Sequence, residues 1–321
     1  MRYAIRTLRK SPGFTSLTVG TLALGLGVNI AIFSLVQTVL LQQLPYERPT
    51  ELVWAWSIRP DNRGPFNIPD FIDYRDRNRT LESIAAFAEV NAILTGYGEP
   101  VRLHGVRASA NLFDLLGAKA ALGRTLEPSD DLPGSIQVVV LAHSAWAHQF
   151  GSDPRIVGQK VVLDGMPYVV AGVLPRDFLF PKAAAEYAIP LAADIDPARA
   201  RRNSINLLRV VGRLKPGVGI PQAGQDFTSI AHQLQQEYPV ANSLKQAVAL
   251  VPLEKEILGA AQESLVIVVA AVSLLLLIVS ANVSNSLMAR AAHRHKEFAI
   301  RAALGAADGS CSVNRSQRTS C

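Results

Sequence analysis

Few side chains in this sequence are spaced for chemistry. His293 and His295 are two apart; on a helix that spacing turns them about 200° from each other, so they do not chelate one metal. His143 and His148, five apart, are no better placed. Asp130-Asp131 could open a calcium loop, but EF-hand spacing does not follow, and a solvated loop is expected there. No G-x-x-x-x-G-K-[ST] phosphate cradle, G-x-S-x-G elbow or H-E-x-x-H pair occurs. The sequence therefore predicts no enzyme, no metal and no cofactor. Trp54 and Trp56 share one face of a predicted strand, either as interfacial anchors or as core. The two cysteines, Cys311 and Cys321, both fall near the C-terminus, so no disulfide is expected in the central domain.

The elements around these residues say more. Of 321 residues, 49% are hydrophobic and 18% charged, against about 25% charged in soluble domains. The deficit sits in two windows without any charge, Ser11 to Gln43 and Ser264 to Ala289. Each exceeds the roughly 20 apolar residues that cross a hydrocarbon core. Transmembrane helices are predicted at 14–41 and 264–289. The first apolar run is too long for a signal peptide and ends in Gln42-Gln43-Leu44-Pro45, with no small-residue cleavage site, so an uncleaved anchor is expected.

The net charge of +6 is partitioned unevenly. Residues 1–41 hold four basic residues and no acidic ones, residues 264–321 hold six against two, and the stretch between holds 22 against 24. Basic flanks on both apolar segments predict cytoplasmic termini, with the central domain on the far side. A nucleic-acid surface would need the positive charge on the central domain, so no nucleic-acid partner is expected. Residues 1–13 read as a basic amphipathic segment at the lipid surface. In the first span Ala23, Gly27 and Ala31 recur every four residues, a spacing that permits close helix packing, and Asn29 and Gln37 call for polar partners.

Residues 45–260 show mixed α and β patterning. Strands are predicted at Leu52–Trp56, Val101–Arg107, Gln137–Leu141, Leu207–Leu214 and Val248–Val251, with a hairpin turning at Asp164-Gly165. Helices are predicted at Pro69–Arg77, after a Ser109 cap up to Gly117, at Ser144–Phe150, and at Pro221–Tyr238, where Phe227, Ile230, Ala231, Leu234 and Tyr238 share one face. A basic helical segment at 290–306 precedes a polar, serine-rich tail at 307–321 that is expected to be disordered.

Several stretches, in order, resemble the permease subunits of macrolide-export-type (MacB-like) ABC transporters, the FtsX-like permease superfamily, and within it the stand-alone orphan permeases. They are Leu22-Ala23-Leu24-Gly25-Leu26-Gly27-Val28-Asn29, Pro45-Tyr46, Pro69-Asp70-Phe71, Gly158-Gln159, Leu163-Asp164-Gly165, Gly172-Val173-Leu174-Pro175 with Phe178, Arg213-Leu214-Lys215-Pro216-Gly217-Val218, and Glu297, Ile300, Arg301, Leu304, Gly305 and Ala306. The resemblance implies an α+β extracytoplasmic domain (MacB-like periplasmic core) carried between two transmembrane α-helices in a bacterial inner membrane. It further implies that a cytoplasmic ABC ATPase contacts Glu297, Ile300, Arg301, Leu304 and Gly305, and that the chain pairs as a homodimer or with a partner permease. The family carries two further membrane helices after this segment, so the tail at 307–321 reads as truncated or frameshifted. The alternative is a two-span sensor with an extracytoplasmic ligand-binding domain. A sensor would need an output module or coiled coil after the second span, and residues 290–321 carry no heptads.

Overall fold

The structure is a computed structural model. It describes residues 44–132, 134–180, 185–191, 202, 207–242, 245 and 247–303, and eight positions between 16 and 34; side chains in the last helix are described for 253–259, 267–285 and 288. The chain divides into two units, Gln42–Ala260 and the combination of Met1–Leu41 with Ala261–Cys321.

The first unit is built on one mixed sheet. Its founding half is a split β-α-β arrangement: β1 (Leu52–Ile58), α1 (Ile68–Arg77) and β3 (Leu81–Thr95), then β10 (Arg209–Leu214), α4 (Ile220–Glu237) and β11 (Ala247–Pro252). The strand order β11-β1-β10-β3 is antiparallel throughout, which is the ferredoxin-like pattern. A short β2 (Arg63–Gly64) pairs with the end of β1.

The second half is inserted between β3 and β10. It comprises β4 (Val101–Ala108), α2 (Leu112–Leu116), β5 (Leu122–Gly123), β6 (Val138–Leu141), α3 (His143–Phe150), β7 (Lys160–Leu163), β8 (Met166–Val173) and β9 (Tyr187–Pro190). These strands continue the sheet as β3-β4-β9-β6-β8-β5, with β4–β9 and β6–β8 parallel. The strand joining the halves is β3: residues 81–87 pair with β10, 87–94 with β4, and Leu94-Thr95 with β7.

Both sheet faces of the founding half are covered. In β1 the alternate residues Val53 and Ala55 join Phe71, Tyr74, Phe227, Ile230 and Leu234 under α1 and α4. Leu52 and Trp54 join Phe87, Leu112, Phe113 and Leu116 on the other face. Period-2 alternation assigns the faces, and since both are buried the strand reads as a continuous apolar run. Tyr74 stacks on Phe227 at 5.3 Å and clamps α1 to α4. A third cluster, Leu94, Leu103, Val139, Leu141, Val161, Val170 and Tyr187, fills the inserted half.

Several local expectations are corrected. The cap of α2 is Asn111; Ser109 lies earlier, and its Oγ accepts from Ala86 N at 2.9 Å. Gly117 does end α2, in the left-handed region. Tyr238 is 38% exposed rather than core, because α4 ends at Glu237 and the Arg202 guanidinium lies 3.7 Å over the Tyr238 ring. Asp130 is buried, not solvated. Burial alone would raise its pKa, but the two-pronged bond from Arg124 and the Glu127 N–H outweigh that and hold it below the usual carboxylate value.

In the second unit, α5 (Leu253–Ala303), which begins in the first unit, carries Ile267–Asn285, long and apolar enough to cross a membrane by length and composition. Gly25 is buried, and a Cβ there would meet Val279 Cγ1 at 3.4 Å. Of the predicted four-residue stripe, Ala23 and Gly27 are exposed and Ala31 lies outside the described residues. Asn29 finds its partner within its own helix, donating to Gly25 O at 2.9 Å. Gln37 lies outside the described residues.

Candidate functional site

The candidate site consists of the two places where the chain enters and leaves the α/β unit. At the entrance, Leu44 to Arg48 lies against α2 and β10. Glu47 N donates to Leu116 O at 3.0 Å. The guanidinium of Arg213, almost wholly buried on β10, donates to Glu47 O (2.7 Å), Leu115 O (2.6 Å) and Arg48 O (3.2 Å), with a Glu51 carboxylate at 3.7 Å. Burial lowers the Arg213 pKa, with Arg48 adding to the effect, yet an arginine stays charged at any working pH. One buried cation thus gathers three carbonyl oxygens from two segments far apart in sequence. Gly117 fits the same junction: its φ is +73°, and a Cβ would meet Glu47 Cβ at 2.3 Å.

Tyr46 makes the second entrance fastening. Its ring is buried edge-on to Phe178, and its hydroxyl donates to Leu179 O at 2.8 Å. Burial raises its pKa far above the usual tyrosine value, so the hydroxyl remains a donor. Phe178 and Phe180 in turn contact Phe113 of α2 at 5.9 Å each.

At the exit, β11 runs directly into α5. Glu256 is buried and accepts from Trp56 Nε1 at 3.0 Å; Arg63 lies 3.9 Å from the same carboxylate and 5.0 Å over the Trp56 ring. Leu253 belongs to the same apolar cluster as Tyr46, Leu52 and Trp54, and Leu44 and Ile257 pack on its margin. Entrance and exit therefore share one core.

On the opposite face, Asp70 is buried and accepts from Arg202 Nη1 (3.0 Å), Lys245 Nζ and Asn242 Nδ2 (3.4 Å). Asp73 pairs with Arg202 (2.6 Å) and Arg77 (3.0 Å). These charges bind the stretches around residues 202 and 245 to α1. A cleft of about 880 Å³ lies beside the entrance, lined by His104, His143, His148, Arg176, Phe178 and Glu186 among others. His143 and His148 do meet in one cleft, though as lining: among the described residues no three His, Cys, Asp or Glu side chains could hold a metal ion.

The model of the MacB-like periplasmic core domain family matches residues 15–230, two thirds of the chain. The chain belongs to that family. Its α/β unit is a mixed MacB-like periplasmic domain of the kind found in the permeases of ABC-type export systems. A curated relative, the macrolide export ATP-binding/permease protein MacB of Campylobacter jejuni, is 25% identical over 235 residues. That match covers 70% of this chain and 34% of the relative, so the chain spans about a third of the relative's length. The periplasmic region of MacB from Actinobacillus actinomycetemcomitans is similar at 18% identity and a TM-score of 0.47, covering 64% of this chain and 91% of that one. The extracellular domain of the transporter YknZ from Gram-positive bacteria is similar at 16% identity and a TM-score of 0.47, covering 62% and 99%.

In this MacB-like chain, Trp54 is core and Trp56 half-buried, their rings 5.6 Å apart. Glu297, Ile300 and Arg301 lie on α5, but their side chains are outside the described residues, as are Leu304 and Gly305 altogether. Tyr46 and Arg213 fall in the family-like stretches, but their fastening role is not legible there; the sequence marks Trp56 only as an anchor or core residue and does not mark Glu256. The available signal for Arg213 was a charge in an apolar run, Val210-Val211-Gly212-Arg213-Leu214; Glu256 follows Glu254 and Lys255, and nothing local sets it apart.

Proposed function

We propose that this chain is the permease, or force-transmitting, subunit of an ABC-type export system in a bacterial inner membrane. Two apolar helices span the bilayer with both termini in the cytoplasm, and the α/β unit lies in the periplasm. A cytoplasmic ABC ATPase engages residues 290–306 through Glu297, Ile300, Arg301, Leu304 and Gly305. The chain performs no catalysis of its own and works as a pair, either with a second copy or with a partner permease. The observation that carries this reading is the shared core of entrance and exit. Flexible linkers dissipate displacement, whereas a close-packed interior transmits strain. Here both chain ends are pinned, by Arg213 and Tyr46 on one side and by Trp56–Glu256 on the other.

Co-purification of the full chain with its ATPase tests the coupling role. Glu297→Ala and Arg301→Ala are each expected to weaken association; undiminished association in both would remove it. The cleft beside Phe178 favours a second reading, a two-span receptor. For that, a ligand bound in the cleft would have to survive loss of the ATPase and be lost on Arg176→Glu.

A further inference from the structure

The lining of the cleft of about 880 Å³ beside the entrance falls into two chemical sets. The apolar set is Pro175, Phe178, Leu179 and Phe180, with Ala147 and Ala185 leaving the space open. Leu179 is 62% exposed. That exposure does not come from a loose loop, because the backbone around it is held. Phe178 N donates to Pro175 O at 3.2 Å, and Leu179 O accepts from the Tyr46 hydroxyl at 2.8 Å. The Phe178 and Phe180 rings meet edge to face at 5.0 Å. The segment therefore presents a preformed apolar surface, which a ligand can cover with little further ordering.

The polar set is mostly basic. Arg176 is exposed, and no described residue engages its guanidinium. His104 of β4 and His143 and His148 of α3 share the lining with it. The one carboxylate in that lining, Glu186, already accepts from the His104 N–H at 2.9 Å. A cationic ligand would meet Arg176 as a like charge. A wholly polar anion would leave Leu179 in water. A ligand with an anionic head and an apolar body satisfies both sets, and the volume is that of a small-molecule site.

We propose that this cleft binds a small amphipathic carboxylate, its head at Arg176 and the imidazoles and its apolar body along Leu179. The site goes beyond the permease reading and does not depend on it; to the receptor alternative it adds a ligand class. Because Leu179 O is also the acceptor for Tyr46, a bound ligand bears on the segment that fastens the entrance. The test is isothermal titration of the full chain in lipid nanodiscs. Phenylbutyrate is the probe, phenylbutanol its uncharged counterpart, and empty nanodiscs the background. Saturable binding of phenylbutyrate above that background is expected, with slower amide exchange at Phe178 in the complex. Arg176→Gln should weaken binding about two- to fivefold, as for an exposed charge pair, and phenylbutanol should bind more weakly by at least as much. Ala147→Phe should abolish binding by filling the cleft from α3. Both variants should unfold at the parent's temperature, since Arg176 is exposed and Ala147 only half-buried. No binding above the nanodisc background, an alcohol that binds as tightly as the acid, or an Arg176→Gln chain that binds like the parent overturns the site. None of these readouts needs the ATPase, so the permease reading stands or falls on its own test.

Discussion

Replacing Arg213 by methionine isolates the entrance fastening. The side chain keeps most of its length, so the apolar packing of β10 is retained while the cation is lost. Leu115 O loses its donor in a buried bond and Glu47 O in a part-buried one, whereas Arg48 O keeps Glu51 N at 3.1 Å. An orphaned buried acceptor costs about 1–3 kcal/mol, and Glu47 O, within reach of water, adds less. Relief from burying a guanidinium offsets part of that, leaving a net loss of about 1–3 kcal/mol. For a unit of this size each kcal/mol moves Tm by about 2–4 °C, so thermal unfolding of the full chain should shift down by about 2–12 °C. The loss should also be local: amide exchange at Glu47, whose N–H bonds to Leu116 O, should accelerate before the sheet opens. Arg213→Lys should restore only part, because one ammonium cannot reach all three carbonyls. An unshifted Tm together with unchanged protection at Glu47 would refute the pin.

Gly117→Ala is expected to destabilise beyond the usual left-handed cost of about 1–2 kcal/mol, because its Cβ would also meet Glu47 Cβ at 2.3 Å; chemical unfolding reads this directly. Glu256→Ala removes the acceptor of Trp56 Nε1 and should cost about 1.5–3 kcal/mol, visible as a lower unfolding midpoint and a changed tryptophan emission. For Asp130, the folded-state pKa lies below the unfolded one. Its contribution is therefore present above the unfolded value and disappears as pH falls through the folded one. A stability profile on the acid side should be shallower in Asp130→Asn than in the parent. Phe227→Ala removes a ring stacked on Tyr74 and should cost about 3–5 kcal/mol in equilibrium unfolding.

Local chemistry was legible where the signal itself is local. The uncharged windows, the α4 periodicity and the Asp164-Gly165 hairpin, whose two residues both take positive φ, depend on neighbours a few residues apart. By itself the sequence determined an apolar segment able to span a membrane at Ile267–Asn285, the helices and most strands of the central unit, and the stretches that mark its family. What it left open was long-range. That β3 serves two halves at once follows from pairings with β10, β4 and β7 that lie up to about 130 residues away in the chain. Whether Ser109 or Asn111 caps α2, and whether Asp130 faces water or Arg124, depended on which groups the finished fold brought near. Tyr46 meets Leu179 across 133 residues, and Arg213 meets Glu47 across 166. Only the tertiary structure decided that the two ends of the domain close on one core, because burial and hydrogen-bond satisfaction belong to the assembled sheet and not to any window of the chain.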